Sequence, residues 1–249
     1  MQVKHVHSWD LAPSEAISLQ KQLAKQIVIE DETVERSFRY VAACDVSFNR
    51  GDERLYAAIV VVNIRDGTVL EEVSADGIMK FPYIPGLLSF RELPIILQAF
   101  TQLKLKPDAI ICDGQGIAHP RGLGIASHLG LWLDIPTIGC AKSLLCGKHE
   151  SLAEERGATS PIYYREKYIG LALRTRKKVK PVYISPGHQC SFKLATDLVL
   201  KLATKYRLPD PIRMAHNLAN DVRRNATLSG FSSSSSKESN GRSDAELHV

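Results

Sequence analysis

Residues 39–78 read RYVAACDVSFNRGDERLYAAIVVVNIRDGTVLEEVSADGI, and this stretch decides the fold. It divides into three strand-like runs, 39–48, 55–64 and 68–78, joined by the short polar turns GDER and RDG. Connections that short suit an antiparallel meander. Downstream the rhythm changes. The loop KFPYIPGLLS leads into a helix through about Leu103, and the apolar run DAIICD, closing at Asp113, reads as a buried strand. A glycine-rich loop, a helix around Ile125 to Leu133 and the strand PTIGCA continue the alternation. A hairpin (YYREKYIGLALRTR), a strand (KPVYISPG) and two helices complete it. Upstream, a helix is predicted from about Ser14 to Ile27, with Ala16, Leu19, Leu23 and Ile27 on one face. A meander followed by alternating helix and strand predicts an α/β fold, a mixed sheet with helices on both faces.

The 249 residues allow one domain with a substantial core or two small ones, and 44% hydrophobic with 24% charged residues is ordinary globular composition. No internal repeat is present, and no run approaches the roughly 20 apolar residues of a membrane span. The start, MQVKHVHSWD, lacks the apolar core of a secretory signal. Five cysteines, an odd number with no CxxC pair, argue against a disulfide framework or zinc cluster and for a reduced, cytoplasmic setting. A net charge of +5 permits an anionic partner without demanding one. The end, GFSSSSSKESNGRSDAELHV, is too poor in apolar residues to offset its ordering entropy. One domain over 1–228 and a disordered tail over 229–249 are expected.

Three carboxylates stand out. Asp45 interrupts a run that otherwise looks like a core strand, and Asp113 closes another just before a glycine loop. An ionised carboxylate in such surroundings is costly unless paired or bound to metal. Two such acids repel one another, and a hard divalent cation with oxygen ligands relieves that repulsion. A strand-end aspartate also serves as a turn or cap former, so the residues alone leave both readings open. Glu92 has the capping-box spacing Ser89-Phe90-Arg91-Glu92. In that register Pro94 falls beyond the first turn, where proline is costly, whereas a helix starting nearer Glu92 would tolerate Pro94 and free the carboxylate. DGQGIAH is no dinucleotide loop, because it lacks the third glycine and its aspartate would repel a pyrophosphate. Cys44 and Cys112, one residue before each aspartate, read as buried apolar fillers. RTRKKVK (174–180) is the densest basic run, a solvated hairpin tip or a holder of flanking phosphates.

At PYIPGLLSFRE (82–92) and DGQGIAHPRGLGIASHLG (113–130) the sequence strongly resembles the endonuclease V family, the deoxyinosine-directed repair nucleases. The likeness extends over CDVSF, IPTIGCAKS (135–143), YISPGH (183–188) and PIRMAH (211–216), covering about Trp9 to Thr227. It implies a ribonuclease H-like fold, whose order of elements the pattern above matches. It also implies Mg²⁺-dependent hydrolysis, with Mn²⁺ an expected substitute, at the second phosphodiester bond 3′ to inosine. By position, Asp45, Glu92 and Asp113 match the family's metal ligands; Lys142 and His216 match a lysine near the scissile phosphate and an additional histidine. On the residues alone, these last two read as an exposed lysine after a strand and an ordinary helical histidine. On the residues alone PYIP reads as a proline-aromatic loop packing on the surface or as a wedge, in which Pro82 and Pro85 stiffen the segment that presents Tyr83 where a base has left the duplex; the resemblance favours the wedge and counts Pro82, Ile84 and Pro85 with Tyr83 among the DNA-binding residues. The resemblance places a flipped-base pocket at Gly86, Leu88, Gly114, Gly116, His119, Gly124 and Ile125. Inosine-containing DNA is the expected partner, inosine-containing RNA a second one, and a monomer is expected.

Overall fold

The computed structural model describes residues 2–235. Eight strands form one sheet in the order β3-β2-β1-β4-β5-β8-β7-β6. The opening meander, β1 (Tyr40–Phe48), β2 (Arg54–Asn63) and β3 (Val69–Ile78), is antiparallel as its turns predict. β4 (Ala109–Cys112) joins β1 in parallel and β5 (Thr137–Ala141) joins β4 in parallel. β6 (Thr159–Tyr164), β7 (Lys167–Leu173) and β8 (Val182–His188) return antiparallel against β5.

Strand alternation sorts the core into two layers. On one face Ala42 and Cys44 of β1 pack with Leu93, Ile96 and Phe100 of α2 (Leu88–Gln102) and Leu129 of α3 (Ile125–Leu133). On the other, Val41 and Ala43 pack with Val199 of α4 (Phe192–Leu202) and Ile212 and Ala215 of α5 (Asp210–Ser235). This is the mixed sheet with helices on both faces that the sequence predicts.

α1 spans Pro13–Leu23, and its last turn tightens into a 3₁₀ segment at Ala24–Gln26, so Ile27 lies beyond it in extended conformation. Its buried face is Ala16, Gln20 and Leu23, with a glutamine where an apolar stripe is expected. α2 begins at Leu88 rather than near Glu92, which leaves Pro94 inside the helix. Proline there removes one backbone bond, a cost borne by a helix whose Leu93, Ile95 and Ile96 are almost wholly buried. α5 continues to Ser235, six residues past the expected start of the tail at 229; the rest of that expectation, 236–249, lies outside the described residues. Among the described residues no helix is long and apolar enough to cross a membrane.

Candidate active site

The β1–β4 register decides the placement of the two aspartates. The last paired residues are Cys44 and Cys112, whose sulfurs lie 3.7 Å apart in the core. The next residue on each strand is an aspartate, so Asp45 and Asp113 emerge side by side, about one strand spacing (~4.8 Å) apart in backbone terms. Both carboxylates are largely buried, with side-chain exposures of 15% and 11%. Burial, and then the negative charge of Asp113, pushes the Asp45 carboxyl above the usual range, while His216 opposes the shift.

Glu92 approaches from α2. Burial first, and then the charge of Asp45, pushes it up to about 8, with Arg91 opposing and Asp113 adding. Among the described residues its carboxylate has no hydrogen-bond partner. It is not a capping glutamate: Ser89 spends its hydroxyl on His128 Nδ1 at 3.0 Å. The conclusion that Glu92 is free therefore stands, though the predicted helix start does not.

Two cationic or proton-donating groups close the cluster. Lys142, just after β5, bonds the Asp113 carboxylate. Arg207 fixes that lysine's backbone by donating to the carbonyls of Lys142 (2.5 Å) and Pro181 (2.6 Å). His216 of α5 lies 2.6 Å from Asp45 through Nδ1, and the Asn220 amide meets its Nε2 at 3.0 Å. Ser47 and Arg223 both donate to the Asn220 carbonyl oxygen, which leaves its NH₂ facing the imidazole. Nε2 is then an acceptor and Nδ1–H the donor to Asp45. Among the described residues no three Asp, Glu, His or Cys side chains enclose an ion on their own. The donor set nonetheless fits a hard divalent cation: carboxylate oxygens, two of them raised by burial and mutual repulsion, beside an opening where water and phosphate oxygens can complete the shell.

That opening is a cavity of about 380 Å³, within the roughly 300–1,000 Å³ range of small-ligand sites. Asp113 and Lys142 form one side, and Tyr83, Ile84, Pro85, Gly86, Leu88, Gly114, His119, Gly124 and Ile125 are among the residues lining the remainder. Phe81 and Leu87 are buried and anchor the PYIP loop at both ends, leaving Tyr83 66% exposed at its tip. Gly86 has φ +80°, and a side chain there would strike Arg121. Burial, with the Arg121 charge beside it, pushes His119 down to about 4. Its Nδ1 accepts from the Arg121 amide at 3.2 Å, so Nε2–H donates to Gly86 O at 3.1 Å.

Two sequence-predicted residues lie off the cavity wall. Pro82 is exposed beside it. Gly116 packs behind it, where an added Cβ would sit 2.1 Å from the Pro186 carbonyl oxygen, so close strand–loop packing accounts for that glycine. Gln20, Ser89, Gln115 and Leu123 line the cavity and escaped the sequence reading. Gln20 alone carried a signal, a polar residue on the apolar face of α1. The basic run 174–180 braces its loop against the segment before β6: Arg174 donates to Ala153 O at 2.7 Å, and Lys177 and Lys178 pair with Glu155 and Glu154.

The Endonuclease V family model matches residues 21–217. The chain belongs to the Endonuclease V family. An Endonuclease V of Nostoc sp. (strain PCC 7120) is 49% identical over 221 residues, spanning 89% of this chain and all of the relative. The Endonuclease V crystal structure from Streptomyces avermitilis superposes with a TM-score of 0.84 at 36% identity, covering 91% of this chain and 100% of its own. The Ciona intestinalis Endonuclease V, at TM-score 0.75 and 27% identity over 86% of this chain and 98% of its own, holds a 24-mer DNA containing an inosine followed by a ribo-adenosine. The fold is thus the ribonuclease H-like one of Endonuclease V nucleases, a metal-dependent family, and the chain is a nuclease.

Proposed function

We propose that this nuclease recognises inosine in DNA and, with Mg²⁺, hydrolyses the second phosphodiester bond 3′ to it. One observation carries the reading: Asp113 and Lys142 belong both to the carboxylate cluster and to the wall of the cavity. A base seated in that cavity therefore leaves its own strand running past the carboxylates. The DNA held by the Ciona relative supports the choice of base.

Asp45, Glu92 and Asp113 would hold the ion. Bound there, Mg²⁺ supplies charge neutralisation of the phosphate and of the departing 3′ oxygen, and Mn²⁺ has the ligand preferences to replace it. Lys142 exchanges Asp113 for the scissile phosphate and offsets its developing charge. His216 holds the Asp45 carboxylate in orientation through its Nδ1–H. Tyr83, rigid between two prolines, stacks in the space the base vacates. His119, kept neutral at physiological pH, adds no charge beside an uncharged purine. The protein works as a monomer in a reducing compartment, in keeping with five free cysteines, four of them buried.

A second reading, cleavage of inosine-containing RNA, is favoured by the ribonucleotide that follows inosine in the strand of the Ciona relative. A binder without turnover has no use for three convergent carboxylates. Matched DNA and RNA strands carrying one inosine, incubated with Mg²⁺ or with chelator, test both readings. Mg²⁺-dependent nicking one nucleotide beyond the inosine's own 3′ linkage is expected on DNA. Nicking that persists in chelator, or ignores the inosine, would overturn it.

A further inference from the structure

α1 lies outside both the wedge and the glycine loop, yet its Gln20 lines the cavity between them and touches both. Gln20 is 1% exposed, on a helix face otherwise made of Ala16 and Leu23. Its Nε2 donates to Gly86 O at 3.0 Å and to Leu123 O at 2.7 Å, and its Oε1 accepts from Arg121 Nε. The amide is fully used, which fixes its orientation, since a flipped amide would face two carbonyls with an oxygen. Gly86 ends the PYIP wedge, whereas Leu123 and Arg121 sit in the glycine loop that carries His119 and Gly124. The same Gly86 carbonyl also receives Arg121 Nη2 at 2.7 Å and His119 Nε2. Three donors therefore converge on one carbonyl, and the only one from outside the glycine loop is Gln20.

Beyond the loops themselves the walls are tied a second time, where Ser89 Oγ at the start of α2 meets His128 Nδ1 of α3 at 3.0 Å. The wedge hangs on Phe81 and Leu87, buried against Ala16 and Phe90, and the glycine loop is tied to β8 through Ile117 N–Pro186 O at 2.8 Å. Between Gly86 and the glycine loop the spacing is thus held by the polar bridge, and a cavity that sorts bases by edge contacts depends on that spacing. A polar residue fully buried on a helix needs such partners; without them it is a cost.

We infer that Gln20 is a positioning residue that holds the wedge and the glycine loop at the spacing that makes the cavity selective for the flipped base. This rests on the reading of the cavity as the base site. Gln20 touches neither the carboxylates nor the path of the phosphate, so its loss acts on recognition rather than on bond cleavage.

The test uses the full chain with Gln20→Met, which keeps length and removes all three bonds, and Gln20→Glu, which keeps the acceptor for Arg121 but sets an oxygen against two carbonyls. For each, kcat and KM on an inosine strand, nicking of the undamaged strand, and the thermal midpoint are compared with wild type. Both variants are expected to raise KM about tenfold, the scale of lost buried hydrogen bonds, with kcat within about twofold. Amide exchange without nucleic acid is expected to quicken across 83–88 and 119–125 and to stay unchanged in β1 and β4. Unchanged KM in folded variants, unchanged exchange, or a fall in kcat alone overturns the proposal. A wild-type protein that cuts inosine and undamaged strands alike overturns the base-site reading instead, and amide exchange then decides on its own whether Gln20 joins the walls.

Discussion

The carboxylate cluster and the base cavity share Asp113 and Lys142, but they are built on opposite principles. The cluster is made of charged side chains on rigid elements: Asp45 within β1, Glu92 within α2, Asp113 one residue past β4. The cavity is made of loop backbone and small residues, held in place by Gln20, His119 and Arg121 meeting at one carbonyl. Chemistry needs strong, fixed charges, which strands and helices position well. Recognition of a base edge needs close backbone approach, which only loops with glycine permit.

The difference has measurable consequences. Removing a cluster charge should strike cleavage and spare binding. Asp45→Asn is expected to reduce nicking by at least about a thousandfold, beyond the usual loss of a single electrostatic contact, with strand affinity in Mg²⁺-free gel shifts within a few-fold of wild type. Wild-type nicking by this variant would break the assignment of the cluster.

Removing a cavity side chain should do the reverse. Tyr83→Ala is expected to lower the preference for inosine over undamaged duplex by roughly tenfold, the scale of one base–aromatic stack, with the metal concentration for half-maximal nicking unchanged. Equal losses on both substrates would reduce Tyr83 to a general contact and blur the division.

The smallest effect is on stability, where the two regions respond to pH with opposite signs. His119 is held down to about 4 and the wholly buried His128, hydrogen-bonded to His7 at 2.7 Å, lies well below its usual value. Below about pH 6.5, and down to about 4 for His119, the unfolded chain binds protons at these histidines that the folded chain does not, so their contribution to stability falls as pH falls. Glu92 is held up to about 8. From about pH 4.5 to 8 the folded chain keeps a proton there that the unfolded chain has lost, so its contribution falls as pH rises. Thermal unfolding of the metal-free protein should therefore peak in mildly acidic to neutral solution. Glu92→Gln should flatten the alkaline side and, between about pH 4.5 and 6.5, leave the histidine slope unopposed, so that the acid side steepens; flattening on the acid side instead would contradict the assignment.

The cluster was the more legible region. An aspartate in VAACDVSF is conspicuous because charge in an apolar strand is expensive, and the meander around it was readable from turn length and run length. Glu92 was legible as a free carboxylate, but the helix start was not. Proline cost argued for a late start, and tertiary burial of Leu93, Ile95 and Ile96 outweighed it. In the cavity, Tyr83 and the glycines were visible through their motifs, while Gln115 and Leu123 had no pattern of their own. Gln20 is legible only as an exception to the apolar stripe of α1, which the sequence pattern runs through Leu19 instead.

Sequence alone determined the order of elements, the mixed sheet and the two aspartates that follow apolar strands, because these depend on local periodicity and on the cost of burying charge. Tertiary structure decided that Cys44 pairs with Cys112 and so sets the aspartates side by side, and that a glutamine some hundred residues upstream closes the cavity. Register and long-range hydrogen bonds join residues distant along the chain, and nothing local in either partner encodes the other.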